Sequence, residues 1–293
     1  MPCLRHAPPE RTTGSMTPTD SAYTTAGRPM SNVAPDHVPE HGSRSGHPRI
    51  FAVASGKGGV GKTWLAVTLT HALAGSGRRA LLFDGDLGLA NVDVQLGLLP
   101  QQDLGSVLNG RATLRQAVMR YDRGGFDILP GMSGSGGLAA LPPSRLVELG
   151  RDLRGFASAY DVTVIDLGAG LDRTVRRLSQ LADCCLVVTT GEPTALTDAY
   201  AFIKLTALER PGAPFRIIVN MAASAADGQR TYDTLLRACR SFLKIEPPLA
   251  GIVRRDRRVA DAIRSQSPLL TRFPGSEAAA DVEKIAGRLL SAG

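Results

Sequence analysis

The sequence predicts an α/β fold: a single domain with helices on both faces of a mainly parallel, doubly wound sheet. Three observations carry this. Apolar runs without polar alternation recur along the chain, as expected of strands buried on both faces. Stretches of helical periodicity separate them. A glycine-rich loop sits between the first such run and the first such helix.

In chain order, residues 1–48 come first, rich in Pro, Ser, Thr, Gly and His and poor in large apolar residues. Such a segment cannot bury enough surface to offset its ordering entropy, so a disordered tail is expected before a domain at 49–293. Four of the five histidines (His6, His37, His41, His47) lie there at irregular spacing, and metal binding is not expected of them. Strands are then predicted at IFAVA (50–54), ALLFD (80–84), FDILP (126–130), VTVID (162–166), CLVVTT (185–190), FRIIVN (215–220) and PLAGIV (248–253). Leu65, Leu69, Ala72 and Leu73 repeat at helical spacing, and Gly75-Ser-Gly77 ends that helix. Leu146, Leu149, Leu153 and Phe156 mark a helix that starts at Pro142–Pro143. A last helix over 277–291 buries Val282, Ile285, Ala286 and Leu289. No second domain and no internal repeat is expected.

Composition narrows the class. The chain of 293 residues is 43% hydrophobic, enough for one large core. No apolar run reaches the ~20 residues a membrane-spanning helix needs, and the N-terminus lacks the apolar stretch of a secretory signal. The four cysteines, Cys3, Cys184, Cys185 and Cys239, form no CxxC pair, so neither a disulfide framework nor a zinc site is expected. Cys184 and Cys185 are expected as small buried apolar residues, and a reducing cytoplasm fits. The net charge of +7 is spread along the chain except for RRDRR at Arg254 to Arg258, whose default role is a solvated surface.

Gly56-Lys57-Gly58-Gly59-Val60-Gly61-Lys62-Thr63 fits GxxxxGK[ST] without departure, between a strand and a helix. Glycines let backbone N–H groups surround phosphate oxygens, and the helix N-terminus favours negative charge. ATP and Mg²⁺ are therefore the expected ligands, with Lys62 on the β- and γ-phosphates and Thr63 on the metal. Trp64 follows directly; a packing role on the first helix is at least as well supported as a place among the nucleotide-binding residues. Asp84 and Asp86 stand two apart at the end of the second strand, spaced to face one metal–phosphate region or to cap a helix.

The second lysine gives the loop its affinities. GKGGVGKT resembles the deviant Walker A motif of the MinD/ParA superfamily of P-loop ATPases. The resemblance implies that two subunits sandwich two ATP molecules, with Lys57 reaching the partner's phosphates. By the same resemblance, Asp86 positions the attacking water, and Asp84 orients the loop lysines and the metal shell. Asp166, closing VTVID, holds Mg²⁺ through water, and Gly168-Ala-Gly170 senses the γ-phosphate. Asn220 contacts adenine, and Asp256 in GIVRRDRRVADAIRSQSPL belongs to the base-binding segment, where Arg254 replaces the usual Pro.

Two longer stretches are more discriminating. DGDLGLANVDVQLGL and GEPTALTDAYAFIK (Gly191 to Lys204), with LGSVLNG and FDILPGMSGSGGLAAL, resemble the FlhG (FleN, YlxH) regulators of flagellar number over residues 49–291. The DQAxxLR motif that activates the flagellar GTPase FlhF in that branch is not found in the tail. The resemblance implies a cytoplasmic ATP-dependent dimerisation switch with weak ATPase activity, acting on flagellar number, placement or gene expression. Its implied partners are a second copy of the chain, FlhF, flagellar switch or C-ring proteins, or a flagellar transcription activator. Transient contact with the membrane's inner face or the cell pole is left open, because Arg288 and Lys284 flank Leu289 and Leu290 on a helix whose expected role is core packing. Two alternatives remain. One is a positioning ATPase of ParA or MinD type, for DNA partition or division-site selection, although specific DNA binding is not expected. The other is a nucleotide-bound scaffold with negligible hydrolysis.

Overall fold

The computed structural model describes residues 49–86, 88–132 and 143–291. The predicted tail, its histidines and Cys3, Leu87, 133–141 of the glycine-rich FDILPGMSGSGGLAAL stretch, and Pro142 lie outside the described residues.

Eight strands form one sheet in the order β3-β4-β2-β5-β1-β6-β7-β8. They are β1 (Arg49–Ser55), β2 (Ala80–Gly85), β3 (Met119–Tyr121), β4 (Phe126–Leu129), β5 (Val162–Ala169), β6 (Cys184–Thr189), β7 (Phe215–Ala222) and β8 (Leu249–Arg254). Every pairing is parallel except β3 with β4. The seven predicted strands are present, and β3 is an eighth.

Alternation across the strands explains the continuous apolar runs. In β1, Ile50, Ala52 and Ala54 enter one buried cluster while Phe51 and Val53 enter the other. A polar residue at either parity would face a core, so neither parity carries one. The first cluster takes residues of α5 (Pro143–Ala157), α6 (Arg173–Ser179), α7 (Pro193–Glu209) and α8 (Ala225–Ala238), the last extended by a π-helical turn at Cys239–Leu243. The second takes α1 (Lys62–Gly75), α9 (Arg257–Arg264), α10 (Leu269–Arg272) and α11 (Glu277–Ser291). As predicted, Val282, Ile285, Ala286 and Leu289 of α11 are buried. Helix α1 is buried on most of its surface, with Leu65, Leu69 and Leu73 fully enclosed. Truncating one of these leucines to Ala costs about 2–5 kcal/mol.

Three short helices, α2 (Val92–Leu96), α3 (Leu104–Leu108) and α4 (Leu114–Ala117), fill the connection from β2 to β3. Each is only four or five residues long. Local caps start two of them: Asp103 accepts from Ser106 N, and Thr113 with Gln116 forms a capping box. No described helix is long and apolar enough to cross a membrane. The sheet changes winding direction at β1, whose neighbours are β5 and β6. In open α/β sheets the crevice at such a point, beyond the C-terminal ends of the strands, is where ligands bind.

Candidate nucleotide site

The glycine-rich loop lies at that point, between Ser55 at the end of β1 and Lys62 at the start of α1. Gly61 is the N-cap of α1 with φ 84, in the left-handed region, and no side chain caps the helix. The first amides of α1 therefore remain donors for an anion. Gly56 is required by approach: a Cβ there would lie 2.1 Å from the Asp198 carbonyl oxygen, so the loop begins flat against α7. Ser55 O accepts from Gly170 N at 3.1 Å, joining the loop to the turn after β5.

Lys62 and three carboxylates share this pole. Lys62 is 8% exposed; burial lowers its pKa, and the nearby Asp166 and Asp86 carboxylates oppose that. Asp166 on β5 pairs in register with Asp84 on β2 and Val53 on β1, so sheet geometry puts these two acids side by side. Burial first, and the Asp84 charge second, push the Asp166 carboxyl up to about 8; the Thr63 hydroxyl and Lys62 pull the other way. Asp166 Oδ1 is buried with no hydrogen-bond partner among the described residues. An acid so buried, beside a second acid, with one oxygen unsatisfied, fits a divalent cation that would restore the missing positive charge. Thr63 and Asp166 are the residues that would hold it. No three described carboxylate, His or Cys side chains converge on a metal-sized site.

Asp84, expected to orient the loop lysines and the metal shell, is tied to three backbone amides. Its Oδ1 accepts from Asp86 N at 3.2 Å, and its Oδ2 from Asn91 N at 3.0 Å and Val92 N at 3.1 Å. Burial nevertheless pushes its carboxyl up to about 6, those three amides opposing. Asp84 thus anchors the loop that carries Asp86. Asp86 Oδ1 accepts from Gly88 N and Leu89 N, at 3.2 and 3.0 Å. Its carboxyl lies over Gly168, where an added Cβ would come within 3.2 Å of Oδ1. The predicted water-positioning acid and the predicted γ-phosphate turn are therefore in contact.

The two lysines of the loop occupy different environments. Lys57 Nζ donates to Glu192 Oε2 and to Thr194 Oγ1, each at 2.8 Å, and its side chain is 36% exposed. The Lys57 hydrogen bond holds the Glu192 carboxyl below its ordinary range. Glu192 is the N-cap residue of α7, with Pro193 at the first helical position. Glu192, Thr194 and Asp198 sit in the GEPTALTD stretch, which serves above only as a family marker. Their part in the site is a residue-level finding that no local spacing announces.

The adenine-side residues are tied within the chain. Asn220, 2% exposed, donates from Nδ2 to Val60 O at 2.8 Å and accepts at Oδ1 from Met221 N at 2.9 Å. It braces the loop from beneath. Asp256 is the N-cap of α9, accepting from Arg258 N at 2.9 Å, which commits its side chain to the helix. Arg254, in place of the usual Pro, makes a bidentate pair with Asp281 of α11 at 2.8 and 2.9 Å. Arg255, Arg257 and Arg258 are exposed, as expected of RRDRR. Trp64 departs from the nucleotide-binding set: it is 5% exposed in the core cluster beneath α1, and its indole N–H has no partner among the described residues. Its side chain packs in the core.

A cleft of about 640 Å³ opens at the opposite end of the strands, where β1, β6 and β7 begin, lined among others by Arg49, Cys184, Phe215, Arg216 and Pro247. The phosphate-loop residues and the buried acids lie away from this cleft, at the C-terminal ends of the strands. Cys185 is buried as expected, whereas Cys184 is half-buried on this cleft.

The chain is similar to known proteins over most of its length. The family model described as CobQ/CobB/MinD/ParA nucleotide binding domain matches residues 51–269. The antiactivator FleN of Pseudomonas aeruginosa is 38% identical over 244 residues, covering 83% of this chain and 87% of that protein. The flagellum site-determining protein YlxH of Helicobacter pylori is 30% identical, covering 84% and 83%. The septum site-determining protein MinD of Bacillus subtilis is 33% identical, covering 82% and 88%. Among solved structures, a MinD complexed with Mg-ADP from Pyrococcus horikoshii superposes with a TM-score of 0.70 at 27% identity, covering 83% of this chain and 97% of that one. The cell division ATPase MinD of Pyrococcus furiosus gives 0.72 at 25% identity, covering 84% and 100%. The chain belongs to the CobQ/CobB/MinD/ParA family of nucleotide-binding proteins.

Proposed function

We propose that the protein is an ATP-dependent dimerisation switch with weak ATPase activity that regulates flagellar number, placement or gene expression. The observation that carries the switch is the contrast within one loop: Lys62 is buried among the acids, while Lys57 stands at the rim on exposed partners. A lysine so placed is within reach of a second copy docked on this face. Bound Mg²⁺ would neutralise phosphate charge. The chain's own part is to hold the phosphates with the loop amides and Lys62, and to hold the metal with Thr63 and Asp166. Asp86 aligns water against the Gly168 turn, and Lys57 offsets charge across the dimer.

The flagellar assignment rests on similarity to FleN and YlxH over most of the chain. In the cell the switch is expected in the cytoplasm, with flagellar proteins as its readout. Light scattering with ATP and Mg²⁺ tests the switch: Asp86→Ala is expected to remain a dimer that does not release phosphate. Wild-type hydrolysis in that variant would remove Asp86 from its role. Similarity to MinD supports a second reading, a division-site positioning ATPase. Gene deletion separates the two, since altered flagellar number favours the first and misplaced septa the second.

A further inference from the structure

Helices α2 and α9 come from opposite ends of the chain, and one side chain joins them. Gln266 Nε2 donates to Val94 O at 3.0 Å, across 172 residues. Within α2, Val94 O has only a long bond from the C-cap amide of Gly97, at 3.4 Å, so the Gln266 amide is its shorter partner. The rest of the Gln266 side chain lies flat on Gly97: a Cβ added there would stand 2.8 Å from Oε1 and 3.2 Å from Gln266 Cβ. Gly97 closes α2 with φ 66, where glycine is favoured. Gln266 itself has φ 46, one of three non-glycine residues with positive φ among the described residues. A long side chain is costly to hold in the left-handed region, and glycine would close α9 more cheaply. What glycine would lack is the amide on Val94.

Both helices are anchored at their other ends to the nucleotide pole. Asn91 N and Val92 N, at the start of α2, are held by Asp84, which also holds Asp86 N. On the other side Asp256 caps α9, Arg255 N donates to Ala222 O at 2.8 Å, and Asn220 of the same strand braces Val60. The contacts run from Asp86 through Asp84, α2, Gln266 and α9 to the brace under the phosphate loop. We propose that Gln266 is a positioning residue for the Asp86 loop, clamping α2 to α9 so that the water-aligning acid keeps its place over Gly168. This rests on the ATPase reading above.

Gln266→Gly tests it, because the variant relaxes the backbone while deleting the bridge. Hydrogen exchange of the nucleotide-free protein is expected to rise in segment 86–98 and little elsewhere, with a melting temperature at or above that of the wild type. Phosphate release at saturating ATP-Mg²⁺ is expected to fall by roughly tenfold to a hundredfold, as a displaced catalytic group does. The half-saturating ATP concentration stays within about twofold in that variant, since the phosphate loop is untouched. Gln266→Asn, which tolerates the same φ but has a shorter side chain, should behave like the glycine variant. Unchanged exchange in 86–98 overturns the clamp, as do wild-type turnover or a loss of stability and ATP affinity together. A wild-type protein that hydrolyses no ATP would instead overturn the ATPase reading, and exchange would still decide the clamp.

Discussion

Lys57 and Lys62 stand five residues apart in one loop, and the fold treats them oppositely. Lys62 is enclosed, desolvated and surrounded by carboxylates; Lys57 is on the rim, held by Glu192 and Thr194 of α7. Burial makes one lysine part of the site in a single chain. Exposure leaves the other in a pairing that water and salt weaken, and such pairs contribute little to stability. One loop thus carries a fixed cation and an exchangeable one.

The largest test of that contrast is removal of the fixed cation. Lys62→Ala leaves buried acids without their counter-charge, and isothermal titration is expected to show ATP binding lost along with hydrolysis. Lys57→Ala should keep monomer ATP affinity within about threefold, while dimerisation and turnover fall by on the order of 10³, the scale of a cation supplied in trans. Equal loss of affinity in both variants would abolish the distinction. Glu192→Gln sharpens it. The exposed pair sets only a weak hold, so freeing Lys57 should tighten the ATP-dependent dimer by at most about fivefold, as measured by sedimentation.

Asp166 supplies a test by pH. Its carboxyl rises from 3.8 to about 8 in the folded chain, so the native state keeps a proton that the unfolded state has released. Stability contributed in this way is present below about pH 4 and is lost as pH climbs toward 8. The nucleotide-free Asp166→Asn variant should therefore melt above wild type at pH 8 and converge with it near pH 4. Each kcal/mol relieved is worth roughly 2–4 °C. A difference independent of pH would contradict this origin. The smallest expected signal is from Trp64, packed under the phosphate loop, whose fluorescence should shift slightly on adding ATP-Mg²⁺.

Much of this molecule is legible in its sequence because the informative signals are local. The phosphate loop is a contiguous spacing, and strands such as IFAVA announce themselves by offering apolar side chains to both cores. Strand β3 escapes because three residues at an antiparallel edge have no period to detect. Helices α2, α3 and α4 escape for the same reason, being one turn each and held by caps and tertiary contact. In the site, the strand ends announce Asp84 and Asp166, while their adjacency across the sheet and the three backbone amides on Asp84 come from tertiary structure. The bond from Lys57 to Glu192 spans 135 residues and that from Gln266 to Val94 spans 172, distances over which spacing carries no information.

The opening glycine of the phosphate loop has a further meaning. Gly56 is fixed by the Asp198 carbonyl on a helix more than a hundred residues later, not by the anion it introduces. A loop pressed that closely on a helix cannot shift alone, so ligation at the phosphates is mechanically shared with α7. That helix also carries the partners of Lys57. One helix thus fixes both the first glycine of the loop and the rim lysine that follows it.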